Sequence, residues 1–237
     1  MLKNLNNKFI VIEGTDGSGK ATQTKLLIEK LKKEGYKVKK IDFPQYGLKS
    51  AGLVEEYLNG KYGSSTEVGP YRASIFYACD RYDASFKIKK WIEEGFTVVA
   101  DRYISSNAAH QGGKIKNKEE RDKYLKWLYE LEYGVFEIPK PDITFVLKTS
   151  AEFSYNLSSK TVDKEKKAKK LLYLGDKKRD IHEEDKQHLE NSLNVYLELS
   201  ESDPDDFIVI DCVKDGKMLS IEEVSKKLQN YLLNLNS

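Results

Sequence analysis

Five short runs of apolar, mostly β-branched residues punctuate the chain, at 9–12, 38–43, 97–100, 143–147 and 207–210. Each is too short for a buried helix and lacks the alternation of a half-exposed strand, so each predicts a strand covered on both faces. Between them the apolar residues recur at helical spacing. The segment 22–34 carries Leu26, Leu27 and Leu31 and stops at Gly35; 68–94 carries Ile75, Phe76, Ile88 and Ile92 and stops at Gly95. A shorter helical pattern covers 124–133, and 182–199 and 221–233 close the chain. Strands that alternate with helices predict a parallel, doubly wound α/β sheet. No internal repeat and no Pro-rich or Gly/Ser-rich linker divides the 237 residues, so one domain over 1–237 is expected.

One segment departs from the alternation. Residues 160–180 hold nine basic and four acidic side chains, which leaves +5 in 21 residues. A solvated loop or helix would account for it; so would a lid that closes over polyphosphate. The strand before it and the helix after it keep it inside the same domain, as an insertion at about 155–181. This local charge changes how the overall composition reads. The whole chain carries 40 Lys and Arg against 38 Asp and Glu, a net +2. That balance argues against a nucleic-acid coat or a membrane-surface protein. Only five of the basic residues are arginines: Arg72, Arg81, Arg102, Arg121 and Arg179. Arginine is the better bidentate clamp for phosphate, so each is a candidate for a specific task. Two cysteines, Cys79 and Cys212, cannot build a disulfide framework and read as reduced thiols in or near the core. No run approaches the ~18 apolar residues of a membrane-spanning helix, and the expected location is the cytoplasm.

The first predicted strand runs straight into Gly14-Thr15-Asp16-Gly17-Ser18-Gly19-Lys20-Ala21-Thr22, and a helix follows. This fits seven of the eight positions of G-x-x-x-x-G-K-[ST], in the strand-to-helix context that a phosphate-binding loop requires. Glycines let the backbone curl so that successive N–H groups point at phosphate oxygens. The helix N-terminus adds its partial positive charge, and Lys20 reaches the β and γ oxygens. The departure is Ala21, where a metal-binding hydroxyl usually sits. Thr22 is one step further on, turned by ~100° on a helix. Mg²⁺ would then rest mainly on phosphates, water and carboxylates, with Asp16 and a carboxylate from another strand as suppliers. The strand at 97–100 ends in Asp101-Arg102. If it neighbours the first strand, Asp101 points at the metal and Arg102 at phosphate.

A phosphate loop alone implies only a nucleoside triphosphate. A GTPase needs an Asn-Lys-x-Asp after a late strand; Asn117-Lys118-Glu119-Glu120 lacks the Asp and follows no strand. A kinase of a small acceptor is the reading that remains, with an ATPase that grips nucleic acid through the lysine-rich segment as its rival.

Four separated motifs then resemble those of the thymidylate kinases. They are the segment 9–20 ending in Glu13-Gly14-Thr15-Asp16-Gly17-Ser18-Gly19-Lys20; Asp42-Phe43-Pro44 with Leu58-Asn59-Gly60 downstream; Tyr77-Ala78-Cys79-Asp80-Arg81; and the segment 99–109, which opens on Val99-Ala100-Asp101-Arg102-Tyr103. Pro139-Lys140-Pro141-Asp142 leading into the fourth strand is similar to the family's P-x-P-D. The resemblance implies a three-layer P-loop kinase fold, a five-stranded parallel sheet flanked by helices with a lid. It implies transfer of phosphate from ATP to dTMP with Mg²⁺, and commonly a homodimer, with neither nucleic acid nor membrane as partner.

The resemblance also implies roles. Tyr77 and Arg81, four apart on one helix face, would stack on thymine and hydrogen-bond its O4; the adjacent Phe76 would be core. Phe43, Pro44 and Leu58 would wall the pocket, Ser106 and Asn107 would read the base edge, and Arg102 would clamp the dTMP phosphate. His110 stands where the family often has Tyr or Phe beside the sugar. Gln45 stands where many relatives carry an arginine. No arginine lies in the P-loop, so the transition-state cation would come from the lid, with Arg179 beside Lys177 and Lys178. Glu183 would sit near the acceptor phosphate. Cys212 and Val213, after the fifth strand, would lie by the adenine. Other nucleoside monophosphates or deoxynucleosides remain open as acceptors, and Arg72 and Arg121 read as helix-surface residues.

Overall fold

The computed structural model describes residues 5–150, 152–154 and 186–234. The elements run β1 (Phe9–Gly14), α1 (Lys20–Lys33), β2 (Val38–Asp42), a 3-10 turn (Lys49–Ala51), α2 (Gly52–Leu58), α3 (Ser65–Glu93), β3 (Thr97–Asp101) and α4 (Ile104–Gly112). Then come α5 (Lys118–Tyr129) with a π-helical turn (Glu130–Val135), β4 (Ile143–Lys148), α6 (Lys186–Ser202), β5 (Phe207–Asp211), β6 (Val213–Lys214), β7 (Lys217–Met218) and α7 (Ile221–Asn234).

The five long strands form one parallel sheet in the order β2-β3-β1-β4-β5. The chain leaves β1 in one direction to reach β2, returns to β3, and crosses to β4 on the other side of β1. That reversal opens a crevice at the carboxyl ends of β1 and β3. The expected neighbour relation holds: Ile12 of β1 pairs with Asp101 of β3.

The central strands β1, β3 and β4 read as apolar runs because both faces are covered. The edge strand β2 departs from the expectation of a strand covered on both faces, since it carries Lys39 and Lys40 and buries only Ile41. Phe9 and Val11 pack on one side with Val98, Ala100 and Val146, under α3, α4, α5 and α6. Ile10 and Ile12 pack on the other with Val99, Phe145 and Leu147, under α1 and α7. A satellite cluster of Val54, Tyr57, Leu58, Val68 and Ala73 joins α2 to α3.

Several boundaries differ from the sequence expectation for local reasons. Helix α3 starts before residue 68 because Ser64 and Glu67 form a reciprocal cap: Ser64 Oγ accepts from Glu67 N, and the Glu67 carboxylate accepts from Ser64 N at 2.8 Å. It kinks at Gly69, just before Pro70. Helix α5 starts before residue 124 because the Asn117 side chain accepts from Glu120 N at 3.0 Å. The β6–β7 hairpin turns on Asp215-Gly216, both at positive φ. Of the helical pattern at 182–199, residues 182–185 lie outside the described residues, as does the whole 155–181 segment. Both cysteines are free; Cys212 is buried and Cys79 half-buried. Among the described residues no helix is long and apolar enough to cross a membrane.

Candidate active site

The loop after β1 is built by two constraints. A Cβ on Gly14 would lie 2.7 Å from Ser18 Oγ and 2.8 Å from the Leu147 carbonyl, so only glycine lets β1 turn against β4 here. Gly19 caps α1 in the left-handed region at φ 90. Helix α1 has no side-chain cap and no acid in its first turn, which leaves its leading N–H groups and its dipole for an anion. Lys20 is buried and its Nζ donates to the Thr15 carbonyl at 2.8 Å, held over the loop it would serve. Thr15 Oγ1 in turn meets Ser154 Oγ, and Ser154 meets Thr149 Oγ1, so buried hydroxyls tie the loop to the segment after β4. Ala21 is half-buried and Thr22 is exposed.

Across the crevice, β3 ends in Asp101, fully buried. Arg102 follows at φ 72, a left-handed conformation that costs a non-glycine residue about 1–3 kcal/mol. Four groups engage its side chain, the most distant being the Gly14 carbonyl, which accepts from Nη1 at 3.5 Å. Nη2 donates to Asp16 Oδ1 at 2.6 Å, and Nη1 donates to Ser106 Oγ at 2.9 Å and lies 3.2 Å from His110 Nε2. Burial lowers the guanidinium's pKa, but the neighbouring carboxylates, Asp16 foremost with Glu13 and Asp101, outweigh it, and the net shift is upward. Arg102 is therefore a fixed cation that touches the phosphate loop on one side and α4 on the other.

What holds that conformation is Glu13, a residue that sequence reasoning left without a role. Its carboxylate accepts from Tyr103 N (2.8 Å), Ser106 N (2.9 Å), Ser106 Oγ (2.6 Å) and Tyr196 Oη (2.8 Å). Helix α4 has no side-chain cap of its own. Glu13 reaches from the neighbouring strand to satisfy two of its leading N–H groups. Burial raises the Glu13 pKa, with Arg102 and the hydrogen bonds from Ser106 Oγ, Tyr196 Oη and Tyr103 N opposing the shift. The signal was available: an acid at the end of a wholly apolar strand must find donors. Tyr103 completes the brace, packed on Phe9 at 4.9 Å and on Phe43 at 5.5 Å, with its hydroxyl donating to the Pro139 carbonyl.

Of the residues assigned to the acceptor base, Tyr77 and Leu58 belong to the satellite cluster, whereas Phe43 lies in the main core. Tyr77 is half-buried, its ring 6.3 Å from that of Tyr57 and close to buried Leu58. Phe76 is also half-buried against the same cluster, so the two rings share it and Phe76 is not set apart as core. Asn107 Nδ2 donates to the Ser74 carbonyl at 3.3 Å, while its Oδ1 is buried with no hydrogen-bond partner. Phe43 is buried against Tyr103, and the Phe43–Pro44 peptide is cis. Gln45 donates through its backbone N–H and its amide to Asp80, which also accepts from Ser50.

Arg81 is engaged more heavily than its expected role requires. Its Nε and Nη2 each donate to Glu132 at 2.6 Å, a buried bidentate pair, so Nη1 is the edge left for a ligand carbonyl. Burial lowers the Arg81 pKa, Glu132 more than compensates, and the net shift is upward. Near Tyr57, Lys114 Nζ donates to the Tyr57 hydroxyl and the Gln111 amide oxygen, and burial lowers its pKa to about 7.

Cys212 is buried just past β5, where burial pushes its thiol up to about 12; half-buried Val213 opens the hairpin. The adjoining chain meets α1 where Gln23 Nε2 donates to the Ile221 carbonyl. Arg72 donates to the Glu67 carbonyl on the surface. Arg121, in contrast, is a clasp between helices, bidentate to Glu198 of α6 and bonded to the Ile115 carbonyl. Lys177, Lys178, Arg179 and Glu183 lie outside the described residues. Among the described residues no group of three or more His, Cys, Asp or Glu is arranged to hold a metal. Asp16 and Asp101 are the carboxylates at the crevice. One or two carboxylates suit Mg²⁺ whose other ligands are phosphate oxygens and water.

Comparison with known proteins shows the family. A family model described as thymidylate kinase matches residues 12–227. A Methanocaldococcus jannaschii protein named "Probable thymidylate kinase" is 33% identical over 231 residues, 98% of each chain. The Plasmodium falciparum thymidylate kinase is 32% identical over 152 residues, 64% of this chain and 66% of that protein. The chain thus spans just under two thirds of the Plasmodium relative and nearly all of the archaeal one. A solved thymidylate kinase structure from Candida albicans superposes with a TM-score of 0.66 at 25% identity, covering 96% of this chain and 91% of that one.

Proposed function

The chain belongs to the thymidylate kinase family, and from that membership we propose that it transfers the γ-phosphoryl group of ATP to dTMP, giving dTDP and ADP, on the route to dTTP in the cytoplasm. The observation that carries this reading is the placement of Arg102. Its guanidinium bonds the P-loop carboxylate Asp16 and the α4 side chains Ser106 and His110 at once. A fixed cation between a triphosphate loop and an acceptor pocket is what phosphoryl transfer between two anions requires.

The roles are those the family resemblance implies for these residues. The N–H groups of residues 14–20 and the Lys20 ammonium take the β- and γ-phosphates, with Ala21 and Thr22 at the start of the helix. Arg102 orients the acceptor phosphate. Asp16 and Asp101 face Mg²⁺, which supplies charge neutralisation on the phosphates when bound. Tyr77 stacks on thymine, Arg81 offers Nη1 to its O4, Ser106 and Asn107 read its edge, and Phe43, Pro44 and Leu58 close the wall. His110 lies toward the sugar. Arg179 and Glu183 act from the 155–185 segment, and Cys212 and Val213 border the adenine. A homodimer fits the face of α3 that exposes Tyr71, Ile75, Tyr82 and Phe86, which fall within about 60° of one another around the helix.

Calorimetric titration of dTMP without ATP tests the pocket. Wild type and Tyr77→Phe should bind alike, and Tyr77→Leu should bind roughly three- to tenfold more weakly, the worth of a stacked ring. Equal binding by Tyr77→Leu, or none by wild type, contradicts the assignment.

A further inference from the structure

Two histidines of α4 and α6 extend the contacts of Arg102 in a line. Arg102 Nη1 lies 3.2 Å from His110 Nε2, and His110 Nδ1 lies 3.2 Å from His188 Nε2. The direction of every proton in this line is fixed by one fact: a guanidinium only donates. His110 Nε2 must therefore present its lone pair to Arg102. A neutral imidazole that accepts at one nitrogen carries its hydrogen on the other, so His110 is the Nδ1–H tautomer. His188 Nε2 must then accept, because the reverse direction would leave His110 with two acceptor nitrogens and no proton. Ser192 agrees: its hydroxyl donates to the His188 carbonyl at 2.7 Å, so toward His110 Nδ1, 3.5 Å away, its oxygen also presents lone pairs. Both rings are uncharged in this arrangement. The Tyr196 ring, 6.4 Å from His110 and edge-on, flanks the pair, with its hydroxyl on Glu13.

We propose that His188 is a positioning residue for phosphoryl transfer: it accepts the hydrogen bond of His110 Nδ1–H and so fixes the ring orientation of His110, and His110 held in that way locks the Arg102 guanidinium in place. This rests on the reading of Arg102 as the clamp on the acceptor phosphate. His188 is itself buried and sits on α6, whereas Arg102 and His110 belong to the β3–α4 segment. The pair is thus also a joint between two elements that pack on one another across the site. Arg102 has further partners in Asp16 and Ser106. The loss of His188 therefore loosens the guanidinium without releasing it. A misplaced catalytic group costs up to ~100-fold, and the expected effect here lies below that.

The test has a spectroscopic and a kinetic arm. In the free wild-type protein, long-range ¹⁵N–¹H correlation spectra should show His110 with its proton on Nδ1 only. His188→Leu, which removes the acceptor, should leave the proton on Nδ1 of His110 but shift its resonance upfield and speed its exchange with water, with a kcat roughly tenfold lower. His188→Gln, whose amide oxygen can accept the same hydrogen bond, should restore the spectrum and the rate. A proton on Nε2 of His110 in wild type overturns the proposal, as does a folded His188→Leu variant with wild-type kcat. The spectra do not depend on any reaction. If Arg102→Ala keeps full turnover while His110 shows the Nδ1–H form, it is the clamp reading of Arg102 that fails.

Discussion

Arg102→Ala is expected to lower turnover by about 10²–10³-fold, the loss found when one preorganised charge-stabilising donor is removed. The guanidinium is only 14% exposed, braced on three sides, and placed at the crevice where the γ-phosphate and an acceptor phosphate would meet. Its removal has a second cost. Asp16, having lost its 2.6 Å ion pair with Arg102, adds to the negative charge of a site that must hold two anions. Stability should change little. Asp16 is 32% exposed and can hydrate, Ser106 keeps its bonds to Glu13, and alanine is no worse at φ 72 than arginine. An assay that couples ADP release to an optical signal measures the rate, and thermal unfolding checks the fold. A near-normal rate in a folded variant would remove Arg102 from the reaction.

A large effect of the opposite kind is expected at Glu132. The carboxylate is fully buried and meets a guanidinium that is itself buried. Glu132→Ala leaves the Arg81 charge in the core without its counter-ion, which costs about 3–5 kcal/mol. In a chain of this size that corresponds to a drop in Tm of roughly 10 °C. Glu198→Ala provides the contrast. Arg121 grips Glu198 with the same two-pronged geometry, but Glu198 is 41% exposed, and a pair open to water is worth about 1 kcal/mol at most. Differential scanning calorimetry of the two variants separates the cases. A Glu132→Ala protein no less stable than Glu198→Ala would show that the buried pair contributes little.

These two residues mark where the sequence was readable and where it was not. The strands of the sheet lie within two residues of their predicted runs; for β1, β3 and β4 this is because a strand covered on both faces has no polar alternation to confuse it. The P-loop was legible because its glycines carry a backbone demand that leaves few alternatives. Helix α4 was not read from periodicity. Ile104-Ser105-Ser106-Asn107-Ala108-Ala109 is small and polar and buried on nearly every side, so it has no apolar stripe. Ile75 was read as part of an inward stripe and faces outward, since the α3 pattern mixes a core face with an exposed apolar one.

Side-chain roles were harder still. Arg102 was found from its place at the end of a strand. Arg81 was assigned to a ligand, yet its main partner is Glu132, which lies 51 residues away on a π-helical turn that no local pattern announces. Arg121 looked like surface for the same reason: its partner, Glu198, is 77 residues distant. Glu13 acts through a strand neighbour and a helix whose start was itself unread. What fixes each of these residues is a contact distant in sequence, and a single sequence carries the residue types but not the pairings.

The central claim, that this chain phosphorylates dTMP, is tested most directly by presenting ATP and Mg²⁺ with dTMP, dUMP, UMP and CMP in turn and identifying both products. The account predicts ADP and dTDP in equal amounts, with kcat/KM for dTMP at least tenfold above those for UMP and CMP. ADP release without dTDP, or transfer to UMP as fast as to dTMP, would contradict it.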